Sequence, residues 1–258
     1  MKKISKILKE IKINGFSVVE NFLSPKKCNK YIDQFEIILK KRIKNKEYIG
    51  KDNTVVLYNY FKENLKLTNL FVNNLIDNVM TQLIDEDYVL ISTAARNKKK
   101  INLKLKKTKK PVDTGNKWHV DNRHLGGIAL KPSLNYFAVI ALNEFNKENG
   151  ATQYIPKSHL FKKKINSQKQ NKFKTILAKK GSIIFIDSNL AHRAGDSGNI
   201  DRWSIFNLYS AWFVKPYYQF DKIVKKKKLL KKVKKLLHFN STPPDNQNIR
   251  ISTLIKKK

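Results

Sequence analysis

The pattern of apolar and polar positions changes once along the chain. Up to about residue 87, apolar residues recur at the spacings of amphipathic helices, and one short apolar segment, FSVVENFL, has the character of a strand. The second helix begins at the Ser24-Pro25 pair, since Ser is a favoured N-cap and Pro is favoured in the first turn. The predicted helices cover residues 4–11, 25–41 and 68–83.

From Tyr88 onward the pattern is that of β-strands. Short segments rich in β-branched and aromatic residues alternate with clusters of turn-forming residues such as PVDTGN, KENG and GDSGN. Because no helical pattern separates these segments, we expect an antiparallel sandwich or barrel. The predicted strands are YVLISTA, INLKLK, NYFAVIAL, ATQYIP, SIIFID and WSIFNLYSAWF.

The composition is that of a folded chain with a large positive charge. Of 258 residues, 54 are Lys or Arg and 20 are Asp or Glu, which gives a net charge of +34. The 41% of hydrophobic residues is enough to bury a core, which excludes the disordered and collagen-like classes. The single cysteine, Cys28, suits a reducing compartment, and no run of about 18 apolar residues or secretory signal is present. The expected location is the cytoplasm.

The positive charge is carried almost entirely by Lys. Only six of the basic residues are Arg, the side chain that reads phosphates and bases, so a nucleic-acid partner is not expected. Residues 222–239 predict a basic amphipathic helix, which would either contact an anionic membrane surface or pack its apolar stripe on the barrel. The Lys-rich residues 97–110 predict either an edge hairpin or a lid over an active-site mouth.

The segment KWHVDNRH carries the first candidate chemistry. On a strand, His119 and Asp121 point to the same face, as two ligands of a 2-His-1-carboxylate site for non-haem Fe(II) would. The same spacing also fits a hydrogen-bonded surface pair. The third ligand would be His192, which follows the strongly apolar strand GSIIFID.

A second candidate group follows His192. If a hairpin centred near Ser197 joins the flanking strands, His192 and Arg202 lie across from each other on neighbouring strands. Arg binds carboxylates through two hydrogen bonds, and Ser204 on the same face adds a hydroxyl. Such a pair would anchor the 5-carboxylate of 2-oxoglutarate while its other end chelates iron. The alternative for Arg202 is a surface salt bridge with Asp196 or Asp201.

Together these motifs resemble the phytanoyl-CoA dioxygenase family of Fe(II)/2-oxoglutarate-dependent oxygenases. The resemblance covers roughly residues 5–214 and rests on WHVD at 118–121, ALNEFNKENGATQYIPKSH at 141–159, and RWS at 202–204. It implies a mainly β fold, a double-stranded β-helix (a cupin-like jelly roll) with N-terminal helices packed outside. It also implies iron ligands at His119, Asp121 and His192, and 2-oxoglutarate anchors at Arg202 and Ser204.

One position departs from the family. Lys157 stands where the family usually has Gly in a Pro-Gly-Ser-His loop, so a different loop shape is expected, because a backbone angle that is easy for Gly costs more for Lys. His159 in the same loop is expected to be structural and to hold the loop by hydrogen bonding.

The resemblance also implies a domain layout and a reaction. Residues 1–220 would form one oxygenase domain, helical to about 87 and with a jelly-roll core at about 88–214, followed by a basic helix and loose tail at 221–258. With Fe(II), 2-oxoglutarate and O2, it would hydroxylate a C–H bond and release succinate and CO2. Because halogenating relatives carry a small residue in place of Asp121, the carboxylate favours hydroxylation.

The substrate follows less directly from the sequence. The family implies a small-molecule, lipid or sugar-linked substrate. Arg123 and His124 follow the His-x-Asp motif and Arg96 lies on a preceding strand, so these side chains could line a pocket for an anionic group. The alternative for Arg123 is a solvated loop residue. The alternative function is a non-catalytic basic β-barrel that binds nucleic acid or an anionic membrane.

Overall fold

The computed structural model describes most of the chain. The described residues are 2–45, 47, 49–51, 54–99, 116–121, 132–161, 172–196, 198, 200–224 and 228–239. The predicted strand INLKLK, the candidate pocket residues Arg123 and His124, and the predicted loose tail from 241 lie outside them.

In the described part of the chain, ten antiparallel strands form two sheets. In chain order they are β1 Phe16–Val19, β2 Ile49–Lys51, β3 Thr54–Tyr58, β4 Val89–Lys98, β5 Asn135–Ala141, β6 Gln153–Tyr154, β7 Lys174–Thr175, β8 Ile183–Asp187, β9 His192–Arg193 and β10 Arg202–Ser210. The large sheet has the order β1-β8-β5-β10-β4-β3-β2, and the small sheet has the order β7-β6-β9. The sheets enclose an apolar cluster that includes Val139, Ile184 and Ile176. This is the expected jelly roll.

The central strand β10 shows how the large sheet is used on both faces. Trp203, Ile205 and Tyr209 join the main core, which they share with the helices outside the sheet. The alternate residues Arg202 and Ser204 point to the opposite face, into the space between the sheets. The long run RWSIFNLYS is therefore almost entirely buried, although it carries polar residues at every second position near its start.

The helices form largely where the apolar spacing predicts them. They are α1 Lys2–Asn14, α2 Pro25–Lys44, α3 Asn74–Leu83, α4 Phe220–Ile223 and α5 Lys231–Leu236. The Ser24 side chain caps α2 by accepting a hydrogen bond from the Lys27 backbone N–H. The prediction that the third helix starts at Thr68 is wrong. A short 3₁₀ helix, Leu65–Leu70, comes first, and α3 starts after Asn73, whose side chain accepts from Leu75 N–H.

The helical segment also contributes strands that the apolar pattern did not predict. Strands β2 and β3 pair with each other, and β3 extends the large sheet by pairing with β4. The N-terminal region and the core therefore share one sheet. The domain boundary near residue 220 stays a prediction.

The single basic helix predicted over residues 222–239 is not found. The described part of this segment forms two short helices, α4 and α5, and most of its apolar side chains, though not Leu230 or Phe239, pack into or against the main core. Val233, Leu236 and Leu237 are each 2% exposed. Of the two arrangements expected for the apolar residues of 222–239, the structure thus shows the one in which they pack on the barrel. None of the described helices has the length and apolar character needed to span a bilayer.

The packing of α5 predicts a specific loss of stability. Replacing buried Leu236 by Ala should lower the free energy of unfolding by about 2–5 kcal/mol, because it removes packed atoms and leaves a cavity. Leu230 is the matched control, since it is 73% exposed. Its replacement by Ala should change stability by less than about 0.5 kcal/mol in the same urea titration. Equal effects of the two variants would show that α5 is not part of the core.

Candidate metal centre

Backbone hydrogen bonds bring the two candidate histidines side by side. His119 N–H donates to His192 O at 3.1 Å, and His192 N–H donates to His119 O at 2.9 Å. Two residues further on, Asp121 N–H donates to Ser188 O at 3.0 Å. The segment 117–121 is thereby fixed along the chain that connects β8 to β9, and its side chains converge with that of His192.

The three predicted ligands form one cluster. His119, Asp121 and His192 each offer a ligand atom, and these atoms lie within 4.8 Å of one another. His192 Nε2 is 3.2 Å from Asp121 Oδ2, and His119 Nε2 is 3.8 Å from Asp121 Oδ1. All three side chains are under 20% exposed, so the interpretation of His119 and Asp121 as a surface pair does not describe them.

The backbone sets which imidazole nitrogens face the cluster. His119 Nδ1 lies 2.7 Å from Lys117 O, and His192 Nδ1 lies 2.8 Å from Leu190 O. A carbonyl oxygen can only accept a hydrogen bond, so each Nδ1 carries a proton, and in the neutral imidazole the lone pair is then on Nε2. This is the tautomer and orientation that a metal-binding histidine requires.

Burial also keeps His192 neutral. Desolvation, followed by the nearby charge of His119, lowers the pKa of His192 to about 4, although Asp121 acts in the opposite direction. The imidazole is therefore unprotonated at neutral pH. A neutral imidazole is the form that binds a metal ion.

The donor set fits Fe(II). Two imidazole lone pairs and a carboxylate face each other, an arrangement of acceptors that a shared cation stabilises. Asp121 Oδ2 is buried and has no hydrogen-bond partner among the described residues. Two histidines and one carboxylate on one side of a metal leave positions open, which is the pattern of non-haem Fe(II) oxygenases.

Arg202 lies buried in the same space and has no acidic partner among the described residues. It is 4% exposed, and its guanidinium donates to Asn149 O at 3.1 Å, to Gly150 O at 2.8 Å and to Ser204 Oγ at 3.3 Å. No carboxylate pairs with it in the described part of the chain, and Asp201 pairs instead with Lys99 at 2.7 Å. The surface salt bridge considered for Arg202 is therefore wrong.

The charge of Arg202 persists despite its burial. Desolvation, and then the positive charge of Arg96, lower the pKa of Arg202 to about 9, so it stays protonated at neutral pH. A buried cation without a counter-charge is costly unless an anion joins it. Its position favours a carboxylate ligand, as the 2-oxoglutarate anchor would require.

The predicted hairpin between His192 and Arg202 is wrong. β9 pairs with β6 in the small sheet, whereas β10 pairs with β4 and β5 in the large sheet. The chain between them crosses close to the 149–151 turn, where a Cβ on Gly195 would lie 2.5 Å from Ala151 O. The two side chains thus meet across the interior, from opposite sheets, and line one cleft.

This cleft is strongly electropositive. Its cavity volume is about 40 Å³. Arg96 lines it, as predicted, and Arg193 lines it as well, which the sequence did not suggest. Arg193 Nε donates to Gln153 Oε1 at 2.7 Å, and its guanidinium lies over the rings of Trp118 and Phe173. The lining residues are Thr54, Arg96, Lys98, His119, Thr152, His192, Arg193, Ala194, Arg202, Ser204 and Phe206.

The 155–161 loop supports the segment that carries His192. Ser158 Oγ accepts a hydrogen bond from Ala191 N–H at 2.8 Å, directly before that ligand. His159 Nε2 lies 3.2 Å from Lys12 O and ties the loop to α1, as predicted. The expectation of a different loop shape at Lys157 stays a prediction. Its φ of 60° is left-handed, the conformation that Gly adopts easily.

The strained angle at Lys157 gives a stability prediction. Lys157→Gly should raise the free energy of unfolding by about 0.5–1 kcal/mol, because Gly removes the cost of a left-handed side-chain-bearing residue. Lys40→Gly is the matched control, since Lys40 is exposed within α2. There the same replacement should lower stability by about 1 kcal/mol. A loss of stability in both variants, measured by urea unfolding, would contradict the strain argument.

A jelly roll that holds a two-histidine, one-carboxylate centre beside a buried arginine defines the class of Fe(II)/2-oxoglutarate-dependent enzymes. The sequence agrees, because the family model "Phytanoyl-CoA dioxygenase (PhyH)" matches residues 11–202. The chain therefore belongs to the phytanoyl-CoA dioxygenase family. No curated protein matches the chain in sequence.

Solved structures share the fold at low sequence identity. HygX from Streptomyces hygroscopicus, solved with nickel and 2-oxoglutarate, has a TM-score of 0.63 and 10% identity over 84% of this chain and 90% of that chain. The epimerase SnoN, in complex with Fe3+, alpha ketoglutarate and nogalamycin RO, has a TM-score of 0.61 and 14% identity over 83% of this chain and 87% of that chain.

Proposed function

We propose that this protein is a dioxygenase that uses Fe(II) and 2-oxoglutarate to hydroxylate a C–H bond of a small-molecule substrate. The observation that carries the proposal is the convergence of His119, Asp121 and His192 beside buried Arg202. In the balanced reaction, one atom of O2 enters the substrate as hydroxyl. The other enters succinate, formed as 2-oxoglutarate loses CO2.

Each residue has a defined part in this proposal. His119 and His192 hold Fe(II) through Nε2, with their Nδ1 protons on backbone carbonyls, and Asp121 supplies the carboxylate. Arg202 and Ser204 bind the 5-carboxylate of 2-oxoglutarate, since they supply a buried cation and a hydroxyl on one face. When bound, the iron and cosubstrate supply the oxidising chemistry, and the buried cleft orients the substrate and limits water.

The substrate class rests on the relatives. HygX has been solved with hygromycin B bound, and SnoN with nogalamycin RO, so related folds accept small molecules in their sites. The same similarity supports a small-molecule or sugar-linked substrate here. SnoN is described as an epimerase from nogalamycin biosynthesis, which makes epimerisation, an isomerisation of the substrate without oxygen insertion, the second candidate reaction.

The test is the binding and turnover of 2-oxoglutarate. Fe(II) and 2-oxoglutarate added together to metal-free protein without oxygen should produce the weak visible charge-transfer band of the chelate. With O2, succinate should form. Absence of the band would overturn the proposal and favour a non-catalytic binding protein. With a substrate in hand, incorporation of one 18O atom from 18O2 indicates hydroxylation, whereas an isomeric product of unchanged mass indicates epimerisation.

A further inference from the structure

Arg96 occupies the interior face of the large sheet beside the proposed 2-oxoglutarate anchor. It lies on β4, directly paired with Ser204 on β10 and with Val56 on β3. Its guanidinium carbon sits 4.7 Å from the centre of the Phe206 ring. Arg96 therefore faces the same cleft as the metal ligands, on a rigid strand rather than on a loop.

The guanidinium of Arg96 has unused hydrogen-bonding capacity. Its Nε is buried and has no hydrogen-bond partner among the described residues. No carboxylate pairs with Arg96 in that part of the chain. A buried donor without a partner is unfavourable, and arginine at such a position is suited to a planar anion. The aromatic face of Phe206 holds the guanidinium in place, so Arg96 loses little conformational entropy when an anion binds.

The charges of the loaded site indicate where this anion comes from. The charges of Fe(II), the 2-oxoglutarate dianion, Asp121 and Arg202 cancel. Arg96 then adds a positive charge that neither the metal nor the cosubstrate balances. Lys98, whose ammonium lies 3.2 Å from Asn116 Oδ1, and Arg193 also line the cleft and add further positive charge. A negative charge on the substrate would offset part of this positive excess.

We propose that Arg96 binds an anionic group of the substrate, a carboxylate or a phosphate or sulfate ester, and so selects acidic small molecules. The inference rests on the proposed function, because it places the substrate beside the iron and 2-oxoglutarate. Arg96 is then a specificity-determining residue whose contact with the substrate orients the reacting C–H bond toward the metal.

The experiment uses simple anions as probes. Sulfate and acetate are titrated calorimetrically, without oxygen, into the protein loaded with Fe(II) and 2-oxoglutarate, in enough NaCl to screen surface lysines. The variants are Arg96→Gln and Arg96→Lys. Lys66→Gln is the matched control, because it removes one positive charge from an exposed side chain on a 3₁₀ helix. In parallel, the charge-transfer band gives the affinity for 2-oxoglutarate in each variant.

We expect anion binding to weaken about tenfold or more in Arg96→Gln, as for the loss of a charge-assisted hydrogen bond, and less in Arg96→Lys. Lys66→Gln should match the wild type, and 2-oxoglutarate affinity should stay within about threefold in all variants. Two results would overturn the inference: equal anion binding in wild type and Arg96→Gln, or a tenfold loss of 2-oxoglutarate affinity in Arg96→Gln, which would assign Arg96 to the cosubstrate. Absence of the band in the wild type would instead overturn the proposed function.

Discussion

In the His192→Ala variant, Fe(II)-dependent conversion of 2-oxoglutarate to succinate is expected to fall by more than about a hundredfold. Disturbing only the outer partners of a metal ligand costs about 10–100-fold, so loss of the ligand itself should cost more. The backbone of His192 makes the two hydrogen bonds to His119, and the substitution leaves them in place. The variant should therefore fold while it loses the metal site.

Measuring how much a metal ion stabilises the protein separates loss of the metal site from loss of folding. In the wild type, a metal ion at a hundred times its dissociation constant should raise the free energy of unfolding by about 2.7 kcal/mol, since it binds only the folded state. In His192→Ala this increment should vanish, and the metal-free stability should change little. His159→Gln is the control, because His159 contacts Lys12 O outside the cluster. It should lose some stability but keep the metal increment. A preserved increment in His192→Ala would contradict the assigned site.

Much of the fold follows from short-range pattern alone. The strands β4, β5, β8 and β10 appear in the sequence as runs of β-branched and aromatic residues, and Ser24-Pro25 marks the start of α2. Strand β3 carried a similar signal in TVVLY, which the helical spacing around it obscured. The start of α3 was missed because the apolar spacing runs on through a 3₁₀ helix, and only the Asn73 cap marks the true beginning.

The cluster of candidate metal ligands was predictable because its chemistry is local. His119 and Asp121 share one short extended segment, and His192 follows a buried strand, so residue type and spacing indicated all three members. The relation of His192 to Arg202 was not predictable in the same way. It depends on which sheet each strand joins, and two-residue strands such as β9 carry no pattern that decides this. The carbonyls of Asn149 and Gly150, which hold Arg202, come from a turn fifty residues earlier.

The KENG turn shows how a local motif can serve a distant site. Asn146 and Asn149 cap each other's backbone, and Gly150 takes a left-handed φ of 73°. This shape directs the carbonyl oxygens at 149 and 150 toward the guanidinium of Arg202. A turn that appears in the sequence only as a chain reversal thus positions the proposed cosubstrate anchor.

Replacing Arg202 by Gln should sharply reduce the preference of the protein for a dicarboxylate cosubstrate. 2-Oxovalerate is the informative comparison, since it carries a methyl group where 2-oxoglutarate has its 5-carboxylate. In the wild type, 2-oxoglutarate should bind far more tightly than 2-oxovalerate, because only the dicarboxylate pairs with the buried guanidinium. Affinities follow from the charge-transfer band of each chelate, titrated without oxygen in both proteins.

The four affinities form a cycle that isolates the contact between Arg202 and the carboxylate. Removing one partner of a buried, hydrogen-bonded charge pair costs about 2–5 kcal/mol, so the preference should fall by about thirtyfold or more in Arg202→Gln. Arg193→Gln is the matched control, since the Arg193 guanidinium is held by Gln153 and two aromatic rings. It should keep the wild-type preference. If Arg202→Gln also keeps that preference, the 5-carboxylate binds elsewhere in the cleft, and the role assigned to the buried arginine is wrong.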